Sequence, residues 1–220
     1  GAATLAVCGG ALLATVALAA LASLVRVRVG ACGQAMNDGA SPLFIACSNG
    51  HVDAAQLLID KGADVRQADS DGHTPLIVAC HNGHVDVARL LIEKDADVGQ
   101  AMNNGVTPLL VACENGHDDV ARLLIEKEAD VGQANNRGET PLHAACRNGH
   151  DDVALLLIEK DADGGQAMIT GSTPLLMACA KGHDGVARLL LRGGANIDQG
   201  TLRGFFVSAF VGILPGTTPL

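Results

Sequence analysis

The 220-residue sequence contains no tryptophan and no tyrosine, and only four phenylalanines. Aromatic platforms on which bases or sugars could stack are therefore almost absent. Positive charge is also scarce: 15 Lys and Arg stand against 24 Asp and Glu, a net charge of −9 at pH 7. The deficit is concentrated, because every acidic residue lies between Asp38 and Asp198 with 12 of the 15 basic ones. A body of that sign repels phosphate backbones, which argues against nucleic acid as a partner. Residues 1–25 carry no charge at all. With 48% hydrophobic and 18% charged residues, the chain is nonetheless too apolar for a disordered tail. Its length suits one or two domains.

What is present is repetition. Pro42, Pro75, Pro108, Pro141 and Pro174 recur every 33 residues. Cys47, Cys80, Cys113, Cys146 and Cys179 keep the same spacing. So do the glycines at 50, 83, 116, 149 and 182 and the histidines at 51, 84, 117, 150 and 183. The units run 38–70, 71–103, 104–136, 137–169 and 170–202.

The unit from Asn104 to Asn136 shows the local physics. Thr107-Pro108 predicts a helix start, with the hydroxyl accepting from an orphan N–H and proline at the first helical position. Leu109 to Cys113 make a short apolar helix, and Asn115-Gly116 ends it because glycine tolerates φ > 0. Asp118-Asp119 opens a second helix, where carboxylates favour the positive end of the dipole. Val120, Ala121, Leu123 and Leu124 form its buried stripe. Helices this short do not stand alone, so stacking must supply the core.

Thr-Pro-Leu, Asn-Gly-His, Val-Ala-Arg-Leu-Leu and Ala-Asp-Val at this period resemble ankyrin repeats across residues 38–202. The resemblance implies an all-α solenoid of stacked helix pairs with β-hairpin finger loops and a concave face that binds proteins. The usual Thr-Pro-Leu-His is complete only at His143; Phe44, Ile77, Leu110 and Leu176 replace the histidine elsewhere. The glycine expected after the second helix is kept at Gly62 and Gly194, whereas Asp95, Glu128 and Asp161 occupy it in the other units. A left-handed backbone there costs a non-glycine residue about 1 kcal/mol, so these units are expected to be weaker than an idealised array, the Glu128 turn most of all.

The ends are ambiguous. Residues 1–37 are an apolar leading segment that reads as a degenerate leading repeat with Ala11–Val27 as its second helix, because Gly33 to Asn37 copies Gly99 to Asn103. They also read as a transmembrane helix, since residues 1–25 exceed the ~20 needed, with Arg26 and Arg28 leaving the repeats in the cytoplasm. A third reading is a secretory leader cut near Ala20-Leu21-Ala22. Residues 203–220 are an apolar tail in which Thr218-Pro219-Leu220 restarts the motif, as expected of a fragment of a longer array.

Chemistry is not expected within the repeats. Cysteines in neighbouring units lie ~8–10 Å apart, beyond the ~7 Å limit for a disulfide, and read as small apolar core residues in a reducing compartment. The histidines recur with every unit, whereas a catalytic centre is built once; each is expected to bond backbone carbonyls in its own turn. Adjacent carboxylates, as at Asp118-Asp119, do not face each other on a helix. No catalytic residue, metal site or cofactor is assigned, and no small-molecule substrate.

Function is instead expected where the units differ. Asp71, His73, Val106, Arg137, Glu139 and Ser172 fall on the fingers. His81, Glu114 and Arg147 fall at the ends of the first helices, and Met102, Asn103, Met168 and Ile169 add apolar or amide contacts. By the resemblance these positions are exposed and form a protein-binding surface, since recognition resides on loop tips held by a rigid scaffold. The expected partner is a protein with a basic or mixed face, bound by a monomer in the cytoplasm or nucleus. The alternative is a regulatory module, membrane-anchored or not, whose effector lies outside this sequence.

Overall fold

The computed structural model describes residues 41–199. The readings of residues 1–37 and of the tail after residue 202 lie outside the described residues. Within them the fold is all-α, with ten helices in five pairs. The chain divides into two compact units between Asn103 and Asn104, at the junction of the second and third repeats.

The first unit holds α1 (Pro42–Ser48), α2 (Val52–Asp60), α3 (Pro75–His81) and α4 (Val85–Glu93). Each first helix packs on its own second helix, while α1 meets α3 and α2 meets α4. The second unit repeats this two-layer plan with α5 (Pro108–Asn115), α6 (Asp118–Glu126), α7 (Pro141–Asn148), α8 (Asp151–Glu159), α9 (Pro174–Lys181) and α10 (Asp184–Arg192).

Each first helix starts as its sequence requires. Ser41, Thr74, Thr107, Thr140 and Thr173 accept from the backbone N–H three residues on, at 3.2–3.4 Å, and proline follows each cap. Such a cap contributes about 1 kcal/mol. Pro108 to Cys113 and Pro141 to Cys146 are buried without a break, because a first helix packs both on its own second helix and on the first helix of a neighbouring repeat. The second helices bury a stripe only: Val120, Ala121, Leu123 and Leu124 in α6 and their counterparts in α8. Ala88, Ala112, Ala121, Ala145 and Ala154 are wholly buried, and their small side chains let the two layers approach closely.

The turn between the paired helices joins neighbouring repeats. Gly116 sits at φ 74°, a conformation that strains any residue with a Cβ. It also makes room: a Cβ there would stand 2.5 Å from Nδ1 of His150, whose ring lies over the glycine from the next repeat. The ring's Nε2 donates to the carbonyl of Glu114 at 3.0 Å. His84 bonds Ser48 O at 3.1 Å, and His183 bonds Arg147 O at 3.1 Å. The histidine therefore does not serve its own turn, as expected from sequence; it crosses to a carbonyl that ends the preceding first helix.

After the second helices, Asp95, Glu128 and Asp161 take φ of 66°, 65° and 61° where Gly62 and Gly194 stand in the other pairs. Glu128→Gly is expected to stabilise the protein by about 0.5–1 kcal/mol, and Asp95→Gly or Asp161→Gly by less, because aspartate tolerates this conformation better. Gly116→Ala should destabilise by more than any of these gains. Urea unfolding of the four variants beside the parent checks both signs.

Candidate functional site

The loops that precede the first helices are tight turns rather than strands; no strand occurs among the described residues. One backbone bond closes each of three fingers: Asp69 N–H to His73 O at 3.0 Å, Asn135 to Glu139 at 2.9 Å, and Met168 to Ser172 at 2.9 Å. A second bond ties each tip to the one before it. In the first unit, Asn103 N–H donates to Asp71 O at 3.1 Å; in the second, Asn136 donates to Asn104 O at 3.0 Å and Ile169 to Arg137 O at 3.1 Å. The tips are thus fixed in place by the main chain, leaving their side chains free to differ.

In the first unit Asp71, His81 and Asn103 are exposed, while His73 and Met102 are half-buried. His73 pairs with Asp69 through Nδ1 at 2.9 Å, and Asn103 donates its side-chain amide to Ser70 O at 2.9 Å. In the second unit Glu114, Arg137 and Ile169 are exposed, while Val106, Arg147 and Met168 are half-buried. Ile169 is 79% exposed, the most of any large apolar side chain in the described region.

Two positions expected at the surface are not there. Glu139 is 5% exposed and Ser172 is 2% exposed. The Glu139 carboxylate turns inward, where Asn135 Nδ2 donates to Oε2 at 3.1 Å. Arg147 Nη2 lies 3.1 Å from Oε1 but off the hydrogen-bonding axis, so that contact is an ion pair alone. The same Nη2 donates to Glu114 Oε1 at 2.8 Å. One guanidinium thus bridges an exposed carboxylate of α5 and a buried one of the finger. Ser172 is drawn in by its backbone, whose carbonyl takes both the finger bond and a bond from His143.

Sequence reasoning missed the Glu114–Arg147–Glu139 network. A signal was available, because Glu114 and Arg147 are 33 residues apart and equivalent positions of successive repeats are neighbours.

His143 is wholly buried. Its Nδ1 accepts from Thr140 N–H at 3.3 Å and meets the Thr140 hydroxyl at 2.8 Å, while Nε2 donates to Ser172 O at 3.2 Å. All these partners are satisfied by the neutral ring. Burial holds its pKa below the ordinary histidine value, against the smaller opposing pull of the Ser172 carbonyl and the Glu139 carboxylate.

Cys47, Cys80, Cys113 and Cys146 are buried and Cys179 is half-buried, and none of the five forms a disulfide. Burial pushes the Cys47 and Cys146 thiols up to about 12 and that of Cys80 further. A thiol so shifted stays protonated near neutral pH and is a poor nucleophile. No cluster of three or more His, Cys, Asp or Glu suited to a metal ion occurs among the described residues. No helix among them is long and apolar enough to cross a membrane.

Capped helix pairs joined by fingers, with imidazoles bonding successive pairs inside each unit, fit the family model that matches the sequence. The model described as ankyrin repeats (3 copies) matches residues 13–102, 94–168 and 132–201. The chain belongs to the ankyrin-repeat family. Ankyrin repeats are generally protein–protein interaction modules and are typically non-catalytic. No curated protein matches the chain in a sequence comparison.

Lowering pH from about 6.5 should destabilise the protein, because unfolded His143 takes up a proton that the folded ring resists. His143→Leu, the residue found at Leu110 and Leu176, should make that fall shallower by up to about 1.4 kcal/mol per pH unit. Urea midpoints measured between pH 7 and about pH 5 give the comparison. Among the described thiols, alkylation of the native protein should reach Cys179 before the other four, which peptide mapping after timed iodoacetamide treatment would reveal.

Proposed function

We propose that this ankyrin-repeat chain is a non-enzymatic binding module that engages a partner protein through its fingertips and the exposed ends of its first helices. The observation that carries the reading is Ile169. It is a β-branched apolar side chain 79% exposed, on a tip whose own N–H is tied to Arg137 O. A side chain held out on a fixed backbone loses little freedom on binding, so its burial by a partner is not offset by an ordering cost. In the second unit, Arg137, Glu114 and the half-buried Val106, Arg147 and Met168 complete the surface; in the first, Asp71, His73, His81, Met102 and Asn103 do. Glu139 and Ser172 act from beneath, by fixing Arg147 and the last finger.

The net charge of −9 favours encounter with a basic or mixed partner face. We read the module as a monomer of the cytoplasm or nucleus. The family match begins at residue 13, inside the uncharged leading segment, which favours a leading repeat over a membrane span there.

Affinity capture from the source cells with three forms of the chain tests the reading. The double variant Arg137→Glu/Ile169→Asp should bind any captured protein at least about tenfold more weakly than the parent, with an unchanged unfolding midpoint. Arg122→Glu on the outer face of α6 should bind as the parent does. Loss with Arg122→Glu and retention with the finger variant would refute the assignment.

A further inference from the structure

Five Asn-Gly pairs punctuate the sequence: Asn49-Gly50, Asn82-Gly83, Asn104-Gly105, Asn115-Gly116 and Asn148-Gly149. Glycine has no side chain to screen the asparagine amide carbon from the following backbone nitrogen. All five therefore share the same intrinsic capacity to cyclise, and the fold alone distinguishes them.

In four of the pairs the asparagine closes a first helix. Its Nδ2 donates to a backbone carbonyl: Ile45 at 2.7 Å, Val78 at 2.9 Å, Val111 at 2.9 Å and, from Asn148, Glu114 at 2.8 Å. The glycine N–H beyond it also turns back into the helix. Gly50 bonds Cys47 O and Gly83 bonds Cys80 O, both at 3.3 Å, while Gly116 bonds Ala112 O and Gly149 bonds Ala145 O. The leaving amide is thus engaged at all four helix ends, whereas a bonded glycine N–H is common to the finger turns as well, as at Gly72, Gly138 and Gly171.

Asn104 differs in place and in geometry. It is exposed at a fingertip, and its Oδ1 accepts the backbone N–H of Val106 at 3.0 Å. This bond closes a turn around Gly105 through the side-chain amide. It also directs a donor at the oxygen on which negative charge builds when the amide carbon is attacked, the arrangement that lowers the barrier of acyl transfer.

We propose that Asn104 is a modification site, deamidating through a succinimide formed with Gly105. The Gly105 nitrogen bonds to Asn104 Cγ and gives its proton to water. Nδ2 takes up a proton from water as the Cγ–Nδ2 bond breaks, and ammonia leaves. Water then opens the five-membered ring at either carbonyl, giving aspartate or isoaspartate with no change of oxidation state. Each product adds one negative charge to the tip. Aspartate keeps an oxygen for the Val106 N–H and reproduces the acid already carried at Asp71. Isoaspartate routes the main chain through an extra methylene and draws the Asn104 carbonyl away from Asn136 N–H, a bond of 3.0 Å that ties this finger to the next.

Incubating the full chain in mildly alkaline buffer, with peptide mapping by mass spectrometry over several days, tests the proposal. In the native protein Asn104 should convert at least about tenfold faster than Asn49, Asn82, Asn115 or Asn148, a difference of about 1.4 kcal/mol in barrier. In urea the five rates should converge. A native rate at Asn104 no greater than at the helix ends would overturn the proposal. So would an advantage for Asn104 that survives unfolding, because the fold would not then be its cause.

Discussion

The contact between a left-handed glycine and the imidazole of the following repeat governs how these helix pairs assemble. A pair of helices of seven to nine residues has too few internal hydrogen bonds to persist alone. Its first helix ends on carbonyls that no residue of the same helix can satisfy. The imidazole supplies the missing donor from outside, at 3.0–3.1 Å to Ser48, Glu114 and Arg147. It fits only because Gly50, Gly116 and Gly149 lack a Cβ, so the residue that turns the chain also opens the seat for its neighbour's ring. Satisfying a helix end and joining two repeats are one event.

Much of this was legible in the sequence. The 33-residue register, the Thr-Pro starts, the glycine stops and the buried stripe of the second helix follow from local rules that need no tertiary information. The positive φ of Asp95, Glu128 and Asp161 was legible as well, because the aligned Gly62 and Gly194 mark the conformation that the position demands. What could not be read was which neighbour a side chain serves. The histidine partner lies 36 residues back, one period plus the length of the turn, and a periodic sequence fits an own-turn bond equally well.

The candidate surface was legible by position but not by depth. Arg137, Glu114 and Ile169 stand in the open as their register suggests, whereas Glu139 and Ser172 share a repeat position with the half-buried His73 and Val106 and yet lie beneath the surface. Burial of Glu139 depends on Arg147 eight residues along and on Asn135 four residues back, at the end of the preceding repeat, and on both being present together. Composition does not encode that coincidence. His143 belongs to the same region, where a buried neutral ring, a buried carboxylate and a bridging guanidinium lie within one repeat. The polar interior of the second unit is concentrated there, beside the fingers that vary most.

The Gly–His contact also has a direction. Every repeat brings an acceptor at the end of its first helix and a donor at the start of its second, so each copy carries both halves of the joint. A duplicated segment of 33 residues arrives already able to clasp the copy before it and be clasped by the one behind. Arrays of this kind can therefore lengthen by copying alone, with no matching substitution needed elsewhere, and the new fingertip is then free to drift toward a contact of its own.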